Sequence, residues 1–160
     1  MKLAFPSIKP LIRPEVPKIS LVPTNSNIKN LIAGLGEGCF YIETSKSKTH
    51  KTGIRVVLNF NVVQNIRDSY LLASFVQVFG CGFVSSVEKY GIVRFTVKNF
   101  SDITEKMIPF FEEYNIQGDK AKNLNDFKEA SILMKSKLHL TKEGLEKIYL
   151  IKSRMNFNRE

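Results

Sequence analysis

A chain of 160 residues with 43% hydrophobic content is long enough to bury one core, and it has no apolar run near the roughly 20 residues a membrane-spanning helix needs. Its 24 Lys and Arg against 15 Asp and Glu leave a net charge of +9, which favours a polyanionic partner. Nucleic acid stands first, and a ribosomal or membrane surface is the blander alternative. Cys39 and Cys81 have no second Cys or His within a few positions, so no metal-binding spacing exists. Each sits beside a glycine and near an aromatic, which reads as a small core residue in a reducing compartment.

Residues 1–26 carry five of the six prolines, Pro6, Pro10, Pro14, Pro17 and Pro23. Proline at that density blocks both helix and central strand, so this stretch is expected to be a linker or extended arm. It also rules out the amphipathic helix of an import presequence, although Lys2, Lys9 and Arg13 precede the first acid, Glu15. Residues 27–157 then form a single domain.

That domain opens on LIAGLGEGCF, Leu31 to Phe40, in which Ala33, Gly34, Gly36 and Gly38 lie among Leu31, Ile32 and Leu35. Without side-chain bulk two such helices can pack backbone to backbone, and Glu37 at the end would lie at their seam, a place suited to a shared metal. Next, Phe40, Ile42 and Thr44 alternate with Tyr41, Glu43 and Ser45, a strand period. The second strand buries Ile54, Val56, Leu58, Phe60 and Val62 and turns Arg55, Val57, Asn59, Asn61 and Val63 outward. Between the two, KSKTHKTG (Lys46 to Gly53) makes a tip bearing Lys46, Lys48 and Lys51, either a solvated loop or a phosphate-contacting arm.

Asp68 is placed to cap a helix with Leu71, Leu72, Phe75, Val78 and Phe79 on one side, which Gly80 and Gly82 stop. A second hairpin, Phe83 to Val87 and Ile92 to Lys98, turns near Lys89 to Gly91 and puts Val93, Phe95 and Val97 opposite Arg94, Thr96 and Lys98. Ser101 or Asp102 opens a helix that Pro109 shortens or kinks. Leu124, Phe127, Ser131, Met134 and Leu138 mark another, ringed by lysines, and Thr141 caps a last one built on Leu145, Ile148, Ile151 and Met155.

Helix, two strands, helix, two strands, helices is an α+β order: a four-stranded curved antiparallel sheet with helices behind its apolar face. Arg55, Asn59, Asn61, Arg94 and Lys98 share the open face, where Arg and Asn are suited to pairing bidentately with base edges in a major groove. Glu43 falls on the same face and would repel phosphate. On their own, Gln64 and Lys98 are ordinary exposed strand residues, and His50 and His139 have no evident partner.

LIAGLGEGCF resembles the signature of the LAGLIDADG homing endonucleases, and VVQNIRD (Val62 to Asp68), FGCGFV (Phe79 to Val84), VKNFSDITEKMIPFF (Val97 to Phe111), IQGDKAKN (Ile116 to Asn123) and KLHLTKEGLEKI (Lys137 to Ile148) extend the resemblance. AFPSIKPLIRP (Ala4 to Pro14) looks like the connector between the halves of two-motif enzymes from fungal mitochondrial introns. The resemblance implies the αββαββα fold, a chain that starts at the linker and holds the second half, and a mitochondrial location. It also implies Mg²⁺-dependent hydrolysis of double-stranded DNA with Glu37 as metal ligand, Gln64 near the active site and Lys98 organising water at the scissile phosphate. A second LAGLIDADG half, or a weak homodimer, would supply the other carboxylate. The motif departs from the family's by two residues missing between IAGL and GEG. The alternative is therefore a catalytically dead relic that binds structured RNA, as a splicing cofactor or ribosome-associated protein, and no cleavage is expected from this chain alone.

Overall fold

The computed structural model describes residues 38–155 apart from 115 and 117. The proline-rich arm and the glycine-rich motif, Glu37 included, lie outside the described residues. Strand β1 (Gly38–Lys46) runs antiparallel to β2 (Ile54–Asn65), with Phe40 facing Phe60 and Ile42 facing Leu58. After helix α1 (Ser69–Phe79) come β3 (Phe83–Val87) and β4 (Ile92–Val97), and β4 inserts beside β2 to give the sheet order β1-β2-β4-β3. A helical stretch α2 (100–113), helix α3 (Asp119–Lys135) and helix α4 (Lys142–Ser153) complete the described chain.

The period of two along the strands decides which side takes the helices. Phe40, Ile42, Val56, Leu58, Phe60, Val62, Val93, Phe95 and Val97 are all buried. Burying a side chain of this size contributes ~1.5–3 kcal/mol, so a strand slipped by one residue would lose the whole set. Phe40 holds the layers together, its ring centroid 5.0 Å from Phe60 on the sheet, 5.1 Å from Phe111 on α2 and 5.2 Å from Phe127 on α3. Phe79 does the same at the other edge, 5.9 Å from Phe95 and 4.8 Å from Phe110.

Three boundaries differ from expectation. Asp68 makes no side-chain cap for α1; a short turn, Ile66–Asp68, intervenes, and it is Asn65 that caps it, accepting from the Arg67 N–H at 3.1 Å. Helix α2 begins at Phe100, because Asn99 accepts from the N–H groups of Ser101 and Asp102 at 3.0 and 3.4 Å. It then widens into a π-type turn at Ile103–Met107 just before Pro109, which has no N–H to give. Leu138 falls beyond α3 in a separate turn, Leu138–Leu140, and is exposed. Thr141 does cap α4 as expected, accepting from Gly144 N–H at 3.1 Å.

Side chains from distant parts of the chain lock the helices onto this sheet. Lys152 on α4 donates to Thr44 Oγ1 on β1 at 2.8 Å. Arg154 pairs with Asp126 at 2.7 Å and also with Glu129, joining the end of α4 to α3. Lys128 on α3 pairs with Glu112 on α2.

Candidate nucleic-acid interface

With the helices on one side, the register fixes what the other side carries. Tyr41 faces Asn59, Glu43 faces Val57 and Ser45 faces Arg55, while Asn61 faces Thr96 and Val63 faces Arg94. Lys98, one past Val97, stands beside Asn59, because Val97 faces Phe60. Arg55, Asn59, Asn61, Arg94 and Lys98 therefore share one face, as the alternation expects.

Shared parity does not make them equally accessible. Arg55 is exposed, but Asn59 is fully buried at 0% and Thr96 nearly so at 3%. Asn59 sits in the middle of the face, and its Nδ2 donates to Glu43 Oε2 at 3.2 Å. The same Glu43 oxygen lies 3.6 Å from Lys98 Nζ. Asn61 donates to the Tyr41 hydroxyl at 3.2 Å. The Oδ1 atoms of Asn59 and Asn61 and Nε of Arg94 are buried without a hydrogen-bond partner. Buried polar atoms are ordinarily paired, so this face holds unsatisfied acceptors and a donor in a row across two strands.

At one end of the face the β1–β2 tip presents Lys46, Lys48 and Lys51, all exposed. The tip is closed by Ser47 N–H to Gly53 O and Gly53 N–H to His50 O, both 2.8 Å, and by a 2.7 Å contact between Ser47 Oγ and His50 Nδ1. His139 lies near enough for the charge on His50 to act on it; burial first, and then His50, hold its pKa below the usual histidine value, against a hydrogen bond to the Leu133 backbone. Neither contact could be read from the sequence.

Gln64 is separated from this group. It pairs with Val93 on the helix side of the sheet and is half-buried. It stands two residues past Val62, the partner of Gly38, and so lies at the end of the sheet where β1 begins. Lys98 stands at the level of Asn59, five positions back along β2, or roughly 17 Å. The structure thus gathers the basic and amide residues on one face, leaves Gln64 on the other, and places Glu37 outside the described residues. Tyr41, which holds Asn61, was not singled out from sequence; its signal was its alternation with Phe40 and Ile42. Cys81 is buried, and burial, with the charge of Asp102, pushes its thiol pKa up, as a core residue's would be. Among the described residues no group of His, Cys, Asp or Glu gathers to hold a metal ion, and no helix is long and apolar enough to cross a membrane.

The family model for LAGLIDADG endonucleases matches residues 32–131. A probable intron-encoded endonuclease 2 of Neurospora crassa is 37% identical over 160 residues, covering 96% of this chain and 34% of that protein. The I-SmaMI LAGLIDADG homing endonuclease bound to cleaved DNA superposes with a TM-score of 0.83 at 36% identity, over 95% of this chain and 50% of its own. The I-LtrWI LAGLIDADG homing endonuclease bound to target DNA gives a TM-score of 0.83 at 41% identity, over 90% of this chain and 48% of its own. The chain thus spans about a third of that fungal relative and about half of each solved structure.

Proposed function

Since the chain belongs to the LAGLIDADG endonuclease family, we propose that it is the DNA-binding half of a homing endonuclease, seating duplex DNA on the outer face of its sheet. The observation that carries this reading is the union of Arg55, Arg94, Lys98 and Asn61 on one sheet face with a three-lysine tip at its end. Lys46, Lys48 and Lys51 are suited to phosphate, which positions the duplex, and Arg94 to base edges, which specify it; Asn61 would first have to give up its bond to the Tyr41 hydroxyl. Asn59 acts through Glu43, since its amide is already engaged there. Solved relatives of the same fold hold DNA, and intron-encoded relatives from Neurospora support a mitochondrial home.

The family resemblance assigns both Gln64 and Lys98 to the scissile phosphate. On opposite faces of the sheet and roughly 17 Å apart along β2 they do not share one phosphate, so only Gln64 is kept for it and Lys98 is a phosphate contact of the open face. Gln64 lies at the sheet end from which Glu37 is one covalent step beyond Gly38. Glu37 offers the hard oxygen donor that Mg²⁺ takes, but one carboxylate is half a site, so a second motif must complete it, from another chain or from elsewhere in a longer polypeptide. When bound there, the metal would activate water and stabilise the leaving oxygen. The two-residue shortening of the motif favours a second reading for the isolated chain: binding without cutting, with structured RNA as an alternative ligand. Removing two residues turns the remainder of a helix by about 200° and draws it back by about 3 Å, and misplacing a catalytic group by about 1 Å can cost about a hundredfold in rate.

A supercoiled-plasmid assay with Mg²⁺ or Mn²⁺ tests both readings. The chain alone should leave the plasmid intact, and Glu37→Gln should bind as the wild type does. Two residues restored between Leu35 and Gly36, with an intact motif half supplied in trans, should bring cleavage back. Cleavage by the unmodified chain that Glu37→Gln abolishes would overturn the binding-only reading.

A further inference from the structure

On a face otherwise built to attract phosphate, Glu43 is the one carboxylate among the outward-facing strand residues described. An acid there should weaken binding, yet it is tied into the sheet with care. The amide of Asn59, itself fully buried, donates to Glu43 Oε2 at 3.2 Å and reaches the Val57 carbonyl at 3.4 Å, so the carboxylate is anchored from below. Above it, the same oxygen lies 3.6 Å from Lys98 Nζ. The two ends of this chain differ in freedom: Asn59 is fully enclosed, while the side chains of Lys98 and Glu43 are 46% and 44% exposed. The lysine is the member free to move.

We infer that Glu43 is a positioning residue for Lys98: in the protein without DNA it holds the Lys98 ammonium over Asn59 and masks that charge, and an arriving phosphate must take the lysine from it. The inference rests on the DNA-binding reading above. An exposed pair of this kind is worth little in water and is screened by salt, so it is a latch that phosphate can open rather than a lock. Its effect is to lower affinity for an arbitrary stretch of DNA by withholding one cation, while fixing where Nζ waits. Release leaves the Glu43 carboxylate facing the duplex, and a cytosine amino group beneath it would then be the favoured neighbour, because a carboxylate accepts from N4 of cytosine.

Binding of a mixed-sequence duplex, measured across a salt series for four proteins, tests this. Glu43→Gln keeps an acceptor for Asn59 but removes the charge, and it should tighten binding at low salt by about two- to fivefold, the range an exposed pair can withhold. It should also steepen the slope of log affinity against log salt by up to about 0.9, the equivalent of one more phosphate contact. Lys98→Met alone should weaken binding at low salt, since the cation that the phosphate takes is gone, and on that background Glu43→Gln should gain clearly less than it does in the wild type. Two results would overturn the inference while leaving DNA binding standing: no change of slope in Glu43→Gln, or a gain that survives undiminished in the double variant, which would make Glu43 a general repulsive charge. A wild type whose affinity ignores salt would remove the DNA-binding reading and the latch together.

Discussion

Gly144 shows how much one hydrogen atom can decide. It lies in the first turn of α4, where helix propensity alone would prefer alanine, but a Cβ there would stand 1.9 Å from the Leu138 carbonyl oxygen, a backbone atom with nowhere to go. Gly144→Ala should therefore destabilise the protein by ~1–3 kcal/mol instead of stabilising it, as urea denaturation would show. His139 makes a prediction in pH. Its folded pKa is held below the usual value of 6.5 mainly by burial, so the unfolded chain binds the proton first. Stability is then fully present above that value and is lost as pH falls below it, by linkage. His139→Gln should flatten that part of the profile in thermal melts; an unchanged pH dependence would place the titration elsewhere. At this scale parity was legible and depth was not. Alternation put Asn59 on the outer face correctly, but not its burial or its bond to Glu43, sixteen residues away in sequence, which only the strand register brings within reach.

Among the elements, the strands were readable because only one side of the sheet packs apolar side chains against helices, so a period of two survives in Ile54 to Val63 and Ile92 to Lys98. Helix ends were less so. Several polar residues precede α1 and α2, and any of Asn65, Asp68, Asn99, Ser101 and Asp102 has capping chemistry; the backbone's approach angle chose Asn65 and Asn99. The contacts that hold α4 to β1 and α3, from Lys152 to Thr44 and from Arg154 to Asp126, join positions with no local signature. Thr141 was legible, and Thr141→Ala should cost ~1 kcal/mol by freeing the Gly144 N–H at the start of α4. Phe127→Ala should cost more, ~3–5 kcal/mol, because its ring is fully buried against Phe40 at the junction of sheet and α3. Chemical denaturation of both variants should rank them in that order.

For the molecule as a whole, a net charge of +9 pointed toward a polyanion before any fold was known, and the fold sets Arg55, Arg94 and the Lys46, Lys48 and Lys51 tip on one side of the sheet. The candidate site was legible as far as the face and the family; it was not legible as far as the Glu43 contact that occupies Lys98, which depends on three strands coming together. If this face is the binding surface, its cations should act as counterion-releasing contacts. The direct measurement is the affinity of the intact chain for a mixed-sequence duplex across a salt series. Each neutralised phosphate contributes about −0.9 to the slope of log affinity against log salt, so a slope of roughly −3 to −5 is expected, falling by about 2.7 when Lys48, Lys51 and Arg55 are replaced together by Gln. A flat salt response, or a steep one that the triple replacement leaves unchanged, would contradict the assignment of this sheet face to DNA.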